Sequence, residues 1–99
     1  MTSAVKVAPV ITEVTDSKGN PIPNKDATED TTVSVQGQSL PGKKVKVYDN
    51  NILHLTLSAD NTGRWVAQLT KLQVGAHAIK AESDNQESAI WSFSVNPPK

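Results

Sequence analysis

Hydrophobic and polar residues alternate with a period of two along most of this chain. Successive side chains of a β-strand point to opposite faces of its sheet, so each run predicts a strand with one apolar and one polar face. The apolar positions of these runs are Val33 and Val35; Val45 and Val47; Leu53, Leu55 and Leu57; Trp65, Ala67 and Leu69; His77, Ile79 and Ala81; and Trp91, Phe93 and Val95. With an opening run from Val10 to Val14, the pattern predicts seven strands and no helix.

Turn-forming residues separate the runs, at 16–21, 40–42, 49–51, 60–63, 74–75 and 84–86. Short strands with turn signals at this spacing predict an all-β fold, an antiparallel two-sheet β-sandwich. We expect the immunoglobulin-like or fibronectin type III-like Greek key. Residues 16–30 contain Pro21 and Pro23, which favour an extended edge segment that switches between the two sheets.

The length of 99 residues, with 36% hydrophobic and 20% charged residues, predicts one folded domain. We place this domain at residues 9–96. Residues 1–8 are predicted to be an N-terminal tail or linker, and residues 97–99 a C-terminal linker because Pro97 and Pro98 begin it.

Charge and cysteine content exclude several partners. Ten basic and ten acidic residues leave no net positive field, so nucleic acid is not an expected partner. No stretch approaches about 20 apolar residues, so membrane insertion is not expected either. The chain has no cysteine, which removes disulfides and thiolate metal sites. The isolated domain is expected to be a monomer.

Several stretches in this order resemble the bacterial immunoglobulin-like (Big-type) domains that recur in tandem in large surface adhesins and other exported proteins. They are residues 8–11 (APVI), 14–16 (VTD), 32–37 (TVSVQG), 40–42 (LPG), 45–48 (VKVY), 59–65 (ADNTGRW) and 75–81 (GAHAIKA). The resemblance implies a location outside the cell or on the bacterial cell surface. It also implies neighbouring immunoglobulin-like domains as partners, and a structural spacer role in an adhesin. The alternative is an accessory module of a secreted enzyme, binding a host-surface or polysaccharide ligand.

Catalysis is not expected. A nucleophilic serine needs a sharp turn, a positioned base and oxyanion donors, and the chain has no Gly-x-Ser-x-Gly elbow. His77 follows Gly75 on an inward position, like the corner tyrosine that ties a loop to the sheet in immunoglobulin domains, so a structural hydrogen bond is expected. His54 has the outward parity and is predicted to lie on the surface.

Oxygen-rich turns offer the only candidate metal ligands, because calcium takes six to eight oxygen ligands and loops can converge at one end of a sandwich. The candidates are Asp16, Asp49, Asn50, Asp84 and Asn85. Asp and Asn are also ordinary turn residues, and no EF-hand spacing is present. Turn chemistry is therefore the preferred interpretation, calcium the alternative, and no cofactor is expected.

Two further sets of residues have alternative interpretations. Lys43, Lys44 and Lys46, with Tyr48 on the outward parity, form either a polyanion or glycan patch or a solvated strand face, which we prefer. Trp65 and Trp91 would stack on sugars if exposed, but their parity predicts the core. The full predicted core is Val33, Val35, Val45, Val47, Trp65, Leu69, His77, Ile79, Trp91 and Phe93.

Overall fold

The computed structural model describes residues 8–97, which form nine β-strands. Their bounds are β1 Val10–Asp16, β2 Asp26–Thr28, β3 Val33–Gln38, β4 Lys44–Asp49, β5 Ile52–Ser58, β6 Arg64–Leu69, β7 Gly75–Ser83, β8 Gln86–Glu87 and β9 Trp91–Val95. The predicted count of seven omits β2 and β8. With three and two residues, these strands are too short to show an alternating pattern. This part of the chain contains no helix that could cross a membrane.

The strands form two sheets that pack as a sandwich, which confirms the predicted fold class. One sheet has the order β1-β3-β6, and the other has the order β2-β9-β7-β4-β5, with β8 beside β7. Every pair of neighbouring strands is antiparallel except β2 and β9, which run parallel. Residues 17–25 connect the two sheets, because Pro21 still pairs with Thr15 beside β1 whereas Asp26 begins β2 on the second sheet.

The core lies between the inward faces of the two sheets. Nine of the ten predicted core residues are buried: Val33, Val35, Val45, Val47, Trp65, Leu69, His77, Ile79 and Phe93. Trp91 differs from the prediction because it is only half-buried, packed against the rim of the core. Its Nε1 donates a hydrogen bond to the backbone oxygen of Ile22 at 3.0 Å. Trp91 therefore ties β9 to the segment that joins the two sheets through this hydrogen bond.

A β-bulge changes the parity of β5. Val47 pairs with Leu55, but the next residue of β4, Tyr48, pairs with Leu53, so His54 is an extra residue. A bulge of this kind reverses the alternation beyond it. The prediction that Leu53 shares the inward face of Leu55 is therefore wrong: Leu53 is 49% exposed.

Two hairpins close with two-residue turns. Asp49 pairs with Ile52 around Asn50 and Asn51, whose φ angles are 54° and 69°. In the β7–β8 hairpin, Asp84 and Asn85 have φ angles of 56° and 64°. Positive φ at both central positions is the type I′ geometry that matches the twist of paired strands, and Asn and Asp adopt it more readily than most residues.

The pairing places the first and last long strands at opposite ends of the sandwich. Val10 opens β1 opposite Gln38, at the end that we call the N-terminal pole. The other end, the C-terminal pole, carries Val33 paired with Leu69, the connection 70–74, and Gly75 paired with Val95. The chain therefore enters at one pole and leaves β9 at the other.

Most of the predicted terminal segments lie outside the described residues. Of the predicted tail 1–8 only Ala8 is described, and it is half-buried. Of the predicted linker 97–99 only Pro97 is described, and it is exposed. Pro9, at the predicted start of the domain, is buried.

Candidate functional site

The C-terminal pole contains a buried pair of ionisable side chains, His77 and Asp49. β4 ends at Asp49 opposite Ile79, so its carboxylate reaches the side chain two residues earlier on β7. His77 Nδ1 lies 2.6 Å from Asp49 Oδ2, and the two side chains are 8% and 11% exposed. The other ring nitrogen, Nε2, lies 2.7 Å from the backbone oxygen of Gln73. The His77 ring also stacks on Phe93, with centroids 5.4 Å apart.

Both ring nitrogens of His77 face acceptors, a carboxylate and a carbonyl. A neutral imidazole carries one N–H and satisfies one acceptor, whereas the imidazolium donates to both. In the catalytic arrangement of Ser, His and Asp, the second nitrogen must face the nucleophile. Here it faces the backbone of the β6–β7 connection, so the geometry suits a structural tie between loop and sheet.

A cleft with a volume of about 330 Å³ opens beside this pair. Its walls include Ile52, His54, Lys71 and Leu72, together with the Asp49 and His77 side chains. His54 is exposed, as its parity predicts, and it forms no described hydrogen bond to His77. Both histidines therefore line the cleft, but they are not hydrogen-bonded to each other, and both ring nitrogens of His77 are engaged elsewhere.

The five calcium candidates do not meet in one place. Asp16, Asp49 and Asn50 lie near the C-terminal pole, but Asp84 and Asn85 form the β7–β8 turn at the other pole. Within residues 8–97 no group of three or more His, Cys, Asp or Glu side chains is arranged to hold a metal ion.

The Asp16 carboxylate makes turn hydrogen bonds. Its Oδ1 accepts the backbone N–H groups of Lys18 and Asn20, both at 2.9 Å, and its Oδ2 accepts the Asn20 side chain. The backbone N–H of Asn20 is the main reason that the pKa of Asp16 lies below its ordinary value. These contacts are the local chemistry by which Asp stabilises turns.

Two other carboxylates have the same role, those of the half-buried Asp30 and the exposed Asp60. Asp30 accepts the Ser17 hydroxyl and the backbone N–H of Thr32, and the Ser17 contact is the main cause of its lowered pKa. In the β5–β6 connection, Asp60 Oδ1 accepts the Thr62 hydroxyl and the N–H groups of Thr62 and Arg64. The pKa of Asp60 is lowered, mainly by the Thr62 hydroxyl. Sequence reasoning did not single out Asp30 or Asp60, although Asp60 stands in a stretch with the composition of a turn.

The lysine-rich strand β4 does not form an isolated basic patch. Lys43, Lys44 and Lys46 are exposed, and Lys46 pairs across the sheet with Glu82. The Tyr48 hydroxyl donates to Glu82 Oε1 at 3.2 Å. Acidic side chains therefore offset the lysine charges on this face.

Tyr48 is half-buried within the same polar network. Lys80 Nζ lies 5.6 Å from the centroid of its ring and 3.1 Å from Glu87 Oε2. Desolvation raises the pKa of Tyr48, and the hydrogen bond to Glu82 adds to the shift. The ring face on the Lys80 side is therefore occupied by an ammonium group.

Trp65 lies inside the sandwich with 1% of its surface exposed. Its indole ring packs on Gly37 of β3, where a Cβ would overlap both the ring and the backbone oxygen of Val10. Trp65 Nε1 has no hydrogen-bond partner among the described residues. This ring is therefore unavailable for stacking on a sugar.

Fold and contacts together define the class of protein: an immunoglobulin-like β-sandwich with a histidine tie at one pole. The chain is similar to the fibronectin(III)-like modules of CbhA from Clostridium thermocellum, with a TM-score of 0.60. The identity is 21%, and the match covers 87% of this chain and 98% of that one. No family model and no curated protein sequence matches the chain. The likeness establishes the fold, and the Big-type resemblance rests on the stretches quoted above.

Proposed function

We propose that this domain is a non-catalytic structural spacer of an extracellular bacterial protein, one unit of a series of immunoglobulin-like domains in a surface adhesin. The observation that carries the proposal is the placement of β1 and β9. The chain enters β1 at Val10 on the N-terminal pole and leaves β9 at Val95 on the C-terminal pole. Domains of this topology can be joined end to end so that each adds its full length.

The same topology suits a chain under tension. Hydrogen bonds between antiparallel strands lie perpendicular to the strands, so a pull along the strand axis loads all of them together. Tension between the termini pulls β1 along β3, a pairing that extends from Val10 to Asp16. It also pulls β9, which is held by β7 on one side and by β2 on the other. Both terminal strands would therefore resist in shear rather than open one bond at a time.

The aromatic residues support a spacer over the alternative of a carbohydrate-binding accessory module. All four aromatic rings of the chain lie within the described residues, and none is exposed. Trp65 and Phe93 are buried. Tyr48 and Trp91 are half-buried, and the polar atom of each is hydrogen-bonded within the domain. A platform for stacking sugars needs exposed ring faces.

Three parts of the proposal rest on the sequence resemblance alone. They are the cell-surface location, the adhesin, and the neighbouring immunoglobulin-like domains in the parent chain. A spacer needs no cofactor and no substrate pocket, and the proposal includes neither. It also includes no host-surface or polysaccharide ligand for this unit, because binding is assigned to another part of the parent protein.

Single-molecule force spectroscopy tests the proposal. The domain is pulled first through its termini and then through a cysteine introduced at Lys18 and the C-terminus. The chain has no native cysteine that would compete. Lys18 is exposed and lies at the same pole as Val95, so the second geometry separates strands from one end. We expect a clearly higher unfolding force through the termini. Equal unfolding forces in the two geometries would contradict the spacer role. So would an unfolding force through the termini no higher than the force needed to stretch an unfolded chain.

A further inference from the structure

Strand β5 lies at one edge of the larger sheet and is paired on one side only. Among the described residues its partner is β4, and no strand lies beyond it. Such an edge presents backbone N–H and C=O groups that can pair with another strand. Residues 52–58 read ILHLTLS, with high β-propensity and no Asp, Glu, Lys, Arg, Pro or Gly.

The other edge strands are protected in ways that β5 is not. Each contains a charged residue, namely Glu13 in β1, Asp26 in β2, Arg64 in β6 and Glu87 in β8. Charges and short strands are the usual means by which proteins prevent edge-to-edge pairing. Bulges are another such means, and β5 has one at His54, but it leaves the segment 55–58 regular.

The β5 edge is also apolar. Ile52 is 70% exposed and Leu53 49% exposed, both outside the bulge. Leu55 and Leu57 face the core but are only half-buried, because no further strand covers their free side. A strand added at this edge would cover them.

We propose that the β5 edge docks a second copy of this domain, by antiparallel pairing of β5 with β5 centred on Thr56. In that register Leu55 faces Leu57 of the second copy, and Leu57 faces Leu55 of the second copy. Each half-buried leucine then packs against a leucine of the second copy. The two-fold axis passes between the two Thr56 residues. Such an interface is self-complementary, as a symmetric dimer requires.

The charges around β5 permit this register. The charged neighbours across the sheet are Lys44, which pairs with Ser58, and Lys46, which pairs with Thr56 and lies closest to the proposed axis. In the dimer the two Lys46 residues are separated by three strand spacings, about 14 Å. That separation exceeds the Debye length of about 8 Å at physiological salt. No like charges are therefore brought into contact.

The bulge at His54 limits the regular pairing to residues 55–57, so the interface is small. Small interfaces form weak complexes, and dimers are expected at high protein concentration while dilute protein stays monomeric. The inference does not depend on the spacer role. A domain of any function with this free edge would pair in the same way.

Sedimentation velocity over a range of concentrations, up to about 1 mM, a concentration at which weak complexes form, tests the proposal. Thr56 is exposed, and in the dimer it faces Thr56 of the second copy, so Thr56→Lys places two ammonium groups opposite each other. We expect this variant to raise the dimer dissociation constant at least about tenfold. Thr56→Glu should do the same, and an equimolar mixture of the two variants should associate more tightly than either alone. Gln68→Lys on the exposed face of β6 is the matched control and should leave association unchanged.

A second measurement reports the register directly. Thr56→Cys should form a disulfide-linked dimer under mild oxidation, and faster than Gln68→Cys, since the chain has no other cysteine. Wild-type protein that stays monomeric at the highest concentration overturns the proposal. So does association that Thr56→Lys leaves unchanged, or equal cross-linking of the two cysteine variants, because each would mean that other surfaces are responsible.

Discussion

His77 and Asp49 are paired inside the domain, with His77 Nδ1 2.6 Å from Asp49 Oδ2 and both side chains buried to about nine-tenths, at 8% and 11% exposure. The pair joins β4 to β7, and the second nitrogen of His77 holds the connection 70–74 through the backbone oxygen of Gln73. One histidine thus links two strands and a loop at the pole where β9 ends. The other carboxylate oxygen, Asp49 Oδ1, is buried without a partner in this part of the chain.

Asp49→Asn is expected to lower the free energy of unfolding by about 1.5–3 kcal/mol, because it replaces the buried carboxylate that faces His77 Nδ1 with a weaker, neutral acceptor. Urea unfolding of the variant and of the wild type measures this difference. The double-mutant cycle with His77→Gln should show a coupling of about 1 kcal/mol or more between the two positions.

The matched control for this pair is His54→Gln on the exposed part of β5. It should change the free energy of unfolding by less than about 0.5 kcal/mol, as is usual for surface sites. Additive effects of the Asp49 and His77 substitutions would show that the two side chains do not act as a pair.

Gly37→Ala is expected to lower the free energy of unfolding by about 3 kcal/mol or more. The new methyl group would overlap the Trp65 ring and the backbone oxygen of Val10, and neither can move freely. Gly42→Ala is the control, since Gly42 has a φ of +74° but nothing within 4 Å of the added atom. Its cost is only that of the backbone conformation, about 1 kcal/mol. Thermal or urea unfolding ranks the two variants, and a Gly37 variant no less stable than the Gly42 variant would contradict the packing described here.

The sequence predicts the strands that alternate over five or more residues, and it predicts the burial of Trp65, because alternation reports directly on which face is inward. It does not predict β2, since its three residues pair in parallel with β9 only after residues 17–25 have crossed between sheets. It also places Leu53 on the wrong face. A single extra residue, His54, reverses the parity, and nothing in the local composition marks that residue as a bulge.

The candidate site shows the same limit. Position and parity predict a structural role for His77, but its partner Asp49 lies 28 residues away and is visible only once β4 and β7 are paired. The calcium candidates are selected by residue type and turn position, whereas the pairing of strands decides where in the domain each one lies. Asp84 and Asp16 lie at opposite poles, a separation that no local pattern encodes.

Trp91→Phe is expected to destabilise the domain by about 1 kcal/mol, the usual value of one hydrogen bond, because it removes the contact to the backbone oxygen of Ile22. Trp65→Ala should cost about 3–5 kcal/mol, as is usual for a fully buried large aromatic side chain. Trp91→Ala should cost less than Trp65→Ala, because Trp91 is half-buried. Chemical denaturation of the three variants gives the order, and a greater loss for Trp91→Ala than for Trp65→Ala would show that the segment 17–25 depends on this ring more than its burial indicates.

Calcium is expected to have no effect on thermal stability. The candidate ligands are divided between the poles, and the oxygens of Asp16 are already engaged by N–H groups. A ligand that binds the folded state raises stability in proportion to RT ln(1 + [L]/Kd). Melting curves in EDTA and in about 10 mM calcium, above the millimolar Kd of weak extracellular sites, should therefore coincide. A shift of several degrees would restore the calcium interpretation.

Acid is expected to weaken the turn at Asp60. Its carboxylate accepts three hydrogen bonds from Thr62 and Arg64, and its pKa in the folded state is lowered from the ordinary 3.8, mainly by the Thr62 hydroxyl. A lowered pKa in the folded state means that the unfolded chain binds more protons around that pH. The contribution of Asp60 is thus present above pH 3.8 and disappears as the pH falls through the lower folded value. Asp60→Asn should therefore lower the melting temperature at pH 7, and the gap to wild type should shrink near pH 2. Asp84→Asn removes one unit of charge from an exposed turn and controls for net charge. A gap for Asp60→Asn that is the same at both pH values would show that the carboxylate charge does not stabilise the turn.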